Sequence, residues 1–320
     1  MLLRATAACP AGAAKLQHRS PSPESHPLSK SPRFTGPGQK GEAGDTGKPR
    51  NFTPWADKPG RSPSRASQAA GRGSARLARA TPELDLLYGF HSVREALKAG
   101  RRKLVRLHAT SAAAQKLGDE IAASKIPVNL VSGEDISASL PQDAVHQGVL
   151  LEARPIALID ISEIASVSGL VLVLDQITDP HNVGAILRTA AAFGVDALVT
   201  TERHSPEFSG VLAKAASGGV EHVAIVSVVN LSRALSELGE MGYLRVGLDS
   251  DGTEALDAMP LQRPLALVLG AEGKGLRRLT RERCDAMARL DMPGPVKSLN
   301  VSNACAIALT IAQARAQSRA

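Results

Sequence analysis

Three short segments carry the residues that could do chemistry. Leu174-Asp-Gln-Ile-Thr-Asp-Pro-His-Asn-Val-Gly-Ala-Ile-Leu-Arg188 reads as an apolar strand turning into a helix. Gly270-Ala-Glu-Gly-Lys-Gly275 follows the apolar run Leu265–Leu269, and Ser298-Leu-Asn-Val-Ser-Asn303 opens the last helical pattern. Each places glycines or small polar groups at the end of an apolar element, where open α/β sheets bind ligands. Asn182 is placed to cap a helix starting at Val183, and Gly184 to admit a neighbouring backbone or a substrate. Glu272 reads as a substrate contact or as a cap of its own loop, and taken alone, as an isolated carboxylate in a loop, the cap is favoured. Capping explains one or two of the polar groups at 298–303, but not all of them.

Several familiar chemistries are excluded. One histidine and one carboxylate in Asp179-Pro-His-Asn182 are too few to hold a metal, so no metal is expected. Gly270–Gly275 lacks the Gly-x4-Gly-Lys-Ser/Thr spacing of a phosphate-binding loop. It also lacks the spacing, and the early place in the chain, of a dinucleotide fingerprint.

Around these segments the pattern is strand–helix alternation. Apolar strands at 170–174, 196–200, 223–228, 244–248, 265–269 and 287–291 alternate with helical patterns at 183–193, 209–216, 231–241 and 302–317. Short connections between them predict a parallel sheet covered on both faces, in a domain spanning 165–320. A smaller α/β domain is read over 84–155. It has a strand into a helix at 87–97 with Ser92 as a possible cap, a strand at 103–107, an Ala-rich helix at 111–124, and strands at 126–131 and 147–153.

The net charge of +7 is unevenly placed. Residues 1–80 hold 14 Lys and Arg against 4 Asp and Glu, whereas residues 81–320 hold 24 against 27. Basicity therefore belongs to a Pro-, Gly-, Ser- and Arg-rich tail over 1–82. That tail cannot offset its ordering entropy by burial and is expected to be disordered. It would hold polyanions loosely or simply solubilise the chain. Met1–Ser20 carries Arg4, Lys15 and Arg19 with no acid before Glu24, a composition shared by organellar transit segments and basic tails. Cys9, Cys284 and Cys305 form no CxxC pair, which fits a reducing compartment, and no apolar run is long enough for a membrane span.

Together the three segments resemble the signature motifs of the SpoU-type (SPOUT superfamily) RNA ribose 2′-O-methyltransferases, a likeness covering roughly 86–318. That resemblance implies an α/β-knot fold, in which the chain end threads a loop as a deep trefoil knot and holds S-adenosylmethionine in a bent conformation. By position it assigns cofactor contacts to Gly270, Leu290 and Leu299. It assigns catalytic and structural roles to Asn182, Arg188, Glu272, Ser298 and Asn300. Tyr88-Gly-Phe-His-Ser-Val and Val145-His-Gln-Gly-Val resemble the small RNA-binding domain that precedes the knot in bacterial 23S ribosomal RNA guanosine 2′-O-methyltransferases. Transfer-RNA members usually lack it, so ribosomal RNA is the favoured partner.

The family also implies a homodimer, joined here around the last helix, and a cytoplasmic enzyme. Family proposals make the Arg188 position a base, but a guanidinium stays protonated in proteins. The physical reading is a cation that stabilises the developing alkoxide. The alternatives are a transfer-RNA guanosine 2′-O-methyltransferase, a mitochondrial ribosomal RNA methyltransferase, and a non-catalytic ribosome-assembly protein on the same fold.

Overall fold

The computed structural model describes Leu77 and residues 80–317. Apart from Leu77 and residues 80–82, the expected tail and transit segment lie outside the described residues. The described residues include part of the stretch read as tail. Thr81 and Leu84 exchange two backbone hydrogen bonds, and Leu77 is buried with Leu86, Tyr88, Ile136 and Leu150. An isolated leucine carries no period to read, yet it finds an apolar pocket.

The first sheet has four strands. They are β1 (Asp85–Tyr88), β2 (Leu104–Ala109), β3 (Val128–Leu130) and β4 (Val149–Ala153), in the order β1-β4-β2-β3. Helices α1 (Phe90–Ala99), α2 (Ser111–Lys116), α3 (Gly118–Ser124) and α4 (Gly133–Ser137) connect them. The single Ala-rich helix expected over 111–124 is two, because Leu117 is fully buried with non-helical backbone angles and Gly118 follows it. Ser92 does not cap α1. It lies inside the helix, and its hydroxyl donates to the Ala213 carbonyl at 2.7 Å.

The second sheet has seven strands in the order β7-β6-β5-β10-β8-β11-β9, all paired in parallel. They are β5 (Leu170–Asp175), β6 (Ala197–Thr201), β7 (Ala224–Val228), β8 (Leu244–Leu248), β9 (Glu254–Ala255), β10 (Leu265–Gly270) and β11 (Ala286–Arg289). Helices α5 (Pro180–Ala192), α6 (Gly210–Ala216), α7 (Leu231–Glu240), α8 (Arg278–Glu282) and α9 (Val301–Gln317) complete it. The two-residue β9 and the five-residue α8 are too short to leave a period in the sequence.

Burial on both faces explains the continuous apolar runs. Leu170, Leu172 and Leu174 of β5, with Leu265, Leu267 and Leu269 of β10, face the cluster of α5, α6 and α9. The alternate residues Val171, Val173, Ala266 and Val268 face α7. Burying one such leucine stabilises by roughly 1.5–3 kcal/mol. These two central strands therefore hold the site's scaffold firmly.

The two sheets meet through α1 and α6. Arg102, with no exposed side-chain surface, donates to Glu221 and Asp85, each at 2.7 Å. Burial pushes the Asp85 carboxyl upward, although Arg102 pulls it down.

Candidate active site

The turn after β10 is built by glycine. A Cβ at Gly270 would lie 2.3 Å from the Gly275 carbonyl carbon, so only hydrogen lets the strand end and the turn pass this closely. Gly275 N–H donates to Ala271 at 2.8 Å and closes the loop, with Gly273 in the left-handed region at φ 75°. The loop forms one wall of a cavity of about 370 Å³ at the C-terminal ends of β8 and β10. Leu248, Leu269, Leu290 and Leu299 supply its apolar surface. Asp249, Asp251, Glu272, Lys274, Arg281 and Lys297 supply its charges, and Ser250 and Ser298 its hydroxyls.

A chain of hydrogen bonds joins the three segments. The Asn182 amide donates to Glu272 Oε1 at 3.2 Å, and the Asn300 amide donates to Asn182 Oδ1 at 2.9 Å. The same Glu272 oxygen accepts from the Val301 backbone N–H at 3.1 Å, and Asn300 Oδ1 accepts from Ser302 N–H at 2.9 Å. Asn300 is thus the cap of α9, and Glu272 places a carboxylate at the positive end of that helix. Of the two roles read for Glu272, the cap of its own loop is not what forms: the carboxylate caps another element.

Asn182 does not cap α5. Asp179 does, accepting from His181 N–H at 3.0 Å, and Pro180 occupies the first helical position. Proline fixes the entry three residues earlier than the sequence pattern suggested. Asn182 then lies inside the first turn, free to reach across to Glu272. Gly184 does admit a neighbouring backbone, since a Cβ there would lie 2.7 Å from the Leu212 carbonyl oxygen of α6.

The cavity therefore gathers Gly270, Glu272, Leu290, Ser298 and Leu299, and the hydrogen-bond chain ties Asn182 and Asn300 to its edge. Arg188 is not gathered. It sits six residues beyond Asn182, roughly 9 Å along the helix axis, exposed and outside the cavity lining. Sequence reasoning missed Asp249, which follows β8, lines the cavity and pairs with Arg281 at 2.6 Å. It also missed Asp175, a buried carboxylate that accepts from the backbone and side chain of Arg277. Asp175 ends one apolar strand and Asp249 follows another, and that position was the signal available. Cys305 offers no nucleophile, because burial pushes its thiol up to about 12.

The fold is shared with solved SpoU methyltransferases. The chain aligns with AviRb from Streptomyces viridochromogenes at a TM-score of 0.64 and 20% identity, covering 74% of this chain and 91% of that one. It aligns with the S-adenosylmethionine-bound rRNA methyltransferase from Sinorhizobium meliloti at 0.62 and 23%, covering 72% and 87%.

Sequence comparison agrees. The profile of the SpoU rRNA Methylase family matches residues 169–310, and that for RNA 2′-O ribose methyltransferase substrate binding matches 86–158. The 23S rRNA (guanosine-2′-O-)-methyltransferase RlmB of Pseudomonas aeruginosa is 37% identical over 233 residues, 70% of this chain and 93% of that protein. Its counterpart in Pseudomonas putida is 35% identical over 237 residues, 71% and 95%. The chain belongs to the SpoU rRNA methylase family.

Proposed function

We propose that this protein transfers a methyl group from S-adenosylmethionine to the ribose 2′-hydroxyl of a guanosine in large-subunit ribosomal RNA. The observation that carries the reading is the Glu272–Asn182–Asn300 hydrogen-bond chain. It brings three distant segments to one cavity in a chain 37% identical to a 23S rRNA guanosine methyltransferase. The four-stranded domain, matched by a substrate-binding profile, supports ribosomal RNA over transfer RNA as the substrate.

The cavity fits the cofactor. Its volume falls in the range of small-molecule sites. Its leucines suit the faces of an adenine ring, and the backbone of 270–275 and 290–299 offers donors and acceptors for the ring edge. S-adenosylmethionine, when bound, supplies a methyl on a sulfonium whose leaving thioether is neutral, so no general acid is required. Gly270, Leu290 and Leu299 would hold it.

Arg188 stays cationic and stabilises charge developing on the ribose 2′-oxygen, while a substrate phosphate oxygen takes the proton. Asn182, Ser298 and Asn300 position the ribose and the loops. An Arg188→Lys enzyme with near-normal activity, whose rate follows the titration of lysine, would overturn this role.

Arg188 lies outside its own chain's cavity, which supports a homodimer joined around α9, where Ile307 is exposed. In such a dimer one protomer would complete the other's site. The same reading includes the trefoil knot at the chain end and a cytoplasmic place, in keeping with bacterial relatives.

The test is transfer of label from radiolabelled S-adenosylmethionine to unmodified large-subunit ribosomal RNA, mapped by nuclease digestion and mass spectrometry. Label on one guanosine ribose is the expected result. Label only on transfer RNA moves the substrate, and no transfer despite cofactor binding points to an assembly factor.

A further inference from the structure

We infer that a second cavity, in the four-stranded domain, holds one unpaired base of the substrate RNA other than the base of the methylated nucleotide. The inference rests on the RNA substrate proposed above and names where a second part of it binds.

Two motifs that the catalytic reading leaves unused meet at this place. Gln147, from Val145-His-Gln-Gly-Val, accepts from the Phe90 backbone N–H of Tyr88-Gly-Phe-His-Ser-Val at 2.9 Å. Phe90, Thr110, Ala112, Ala113, Lys116 and Gln147 line a cavity of about 250 Å³. That is below the roughly 300–1,000 Å³ of sites that enclose drug-sized ligands. It suits one base, with sugar and phosphate left outside.

The polar groups in the lining select the ligand. The Phe90 N–H engages the Gln147 carbonyl oxygen, which leaves the amide nitrogen with two donors unused among the described residues. Lys116 is exposed and has no hydrogen-bond or ion-pair partner among the described residues. The Thr110 hydroxyl oxygen accepts from Ala113 N–H at 3.4 Å and keeps its own proton to donate. No carboxylate lines the cavity. A site of donors and one cation, walled by a phenyl ring, takes an acceptor-rich planar group with an anion attached. An unpaired nucleotide has that chemistry, the base stacking on the ring and the phosphate meeting the ammonium. Gln147 has φ 54°, a left-handed conformation that non-glycine residues adopt at a cost and that is enriched at binding sites.

The cavity is also held at a set distance from α5. The Arg102 ion pairs fix the small sheet to the segment 219–221. A Cβ at Gly218 would lie 2.4 Å from Glu95 of α1, and one at Gly219 would lie 2.9 Å from the Arg188 backbone nitrogen. This turn is gripped between the helix that opens the cavity and the helix that carries Arg188. A base seated at Phe90 would therefore fix which nucleotide reaches the ribose site.

The experiment uses the full-length protein, a large-subunit ribosomal RNA transcript and a transfer-RNA transcript. Ultraviolet cross-linking followed by mass spectrometry is expected to place a nucleotide adduct on Phe90 or within 110–116. Phe90→Leu and Lys116→Glu are each expected to weaken ribosomal RNA binding about tenfold, in line with the loss of one stacked base. Both should keep wild-type affinity for S-adenosylmethionine, and Lys116→Glu, on an exposed side chain, should keep the wild-type melting temperature as well. No adduct on these peptides with either RNA, or variants that bind like wild type, overturns the inference. Cross-linking scores the cavity independently of methyl transfer. An adduct without transfer to ribosomal RNA defeats the proposed function and leaves the cavity standing.

Discussion

Replacing Gly270 with alanine should disable the cavity proposed for the cofactor while leaving most of the sheet intact. The added methyl would lie 2.3 Å from the Gly275 carbonyl carbon, 2.4 Å from its oxygen and 2.5 Å from the Leu276 nitrogen. Favourable contacts need about 3.5–4.0 Å, so strand end and turn must part by about 1 Å. All three neighbours are backbone atoms, and no side-chain rotation relieves the clash. Gly270 is not in the left-handed region, so the effect is steric. Overpacking of this kind costs about 1–3 kcal/mol of stability, and a 1 Å displacement of a site wall costs about 100-fold in function. Gly273→Ala is the matched control. At φ 75° with open space around its Cβ, it carries about 1–2 kcal/mol of local strain but pushes nothing into the cavity. Calorimetric titration with S-adenosylmethionine, paired with thermal melting, separates the two. Gly270→Ala should lose about tenfold to 100-fold in affinity, the overpacking cost converted at about 1.4 kcal/mol per tenfold, and Gly273→Ala less than about fivefold. A Gly270→Ala protein that binds within threefold of wild type would refute the steric argument.

Asn300→Ala removes the α9 cap and one arm of the hydrogen-bond chain, and should destabilise by about 1–2 kcal/mol in urea unfolding. Asn300→Asp, which keeps the capping oxygen, should recover at least half of that loss. Arg102→Ala strands the buried Glu221 carboxylate and should cost about 3–5 kcal/mol by the same measurement; a loss under 1 kcal/mol would contradict the burial of that pair. Asp285 is held below its ordinary carboxylate value, chiefly by hydrogen bonds from Arg245. A depressed acid contributes stability above its unfolded value and loses it as pH falls through the folded one. Asp285→Asn should therefore flatten the acid-side decline of melting temperature below about pH 4 and leave the neutral-to-alkaline part unchanged in slope.

The parallel sheet was legible because β5 and β10 are buried on both faces and so appear as unbroken apolar runs. The cavity's glycine loop was legible because it follows such a run directly. What the sequence hid depends on contacts between distant residues. Asp179 and Asn182 are equally good caps by type, and only the backbone entering Pro180 decides between them. Glu272 sits 29 residues before the N–H it accepts from, a separation over which no local rule operates. Leu117 breaks an otherwise continuous alanine helix because the core draws it inward, and alanine propensity carries no trace of that demand.

The arrangement of the polar groups also says how the site divides its work. Glu272 Oε1 and the side chains of Asn182 and Asn300 spend their hydrogen bonds on one another and on α9, which makes this chain a clamp between elements. Their energetic contribution lies in holding the 270–275 loop, α5 and α9 at fixed spacing, which lowers the reorganisation needed when substrate binds. Arg188 is the opposite case: exposed, off the cavity lining, and with no hydrogen-bond or ion-pair partner among the described residues. A cation with an unspent guanidinium fork is suited to phosphate or a developing alkoxide, and the elements that fix its backbone are the turn at 218–219 and α5. Disabling the Glu272–Asn182–Asn300 chain should therefore weaken cofactor and RNA binding together with stability. Truncating Arg188 should instead reduce the rate of transfer with stability and cofactor affinity unchanged, and comparing Asn182→Ala with Arg188→Ala in single-turnover assays separates those roles.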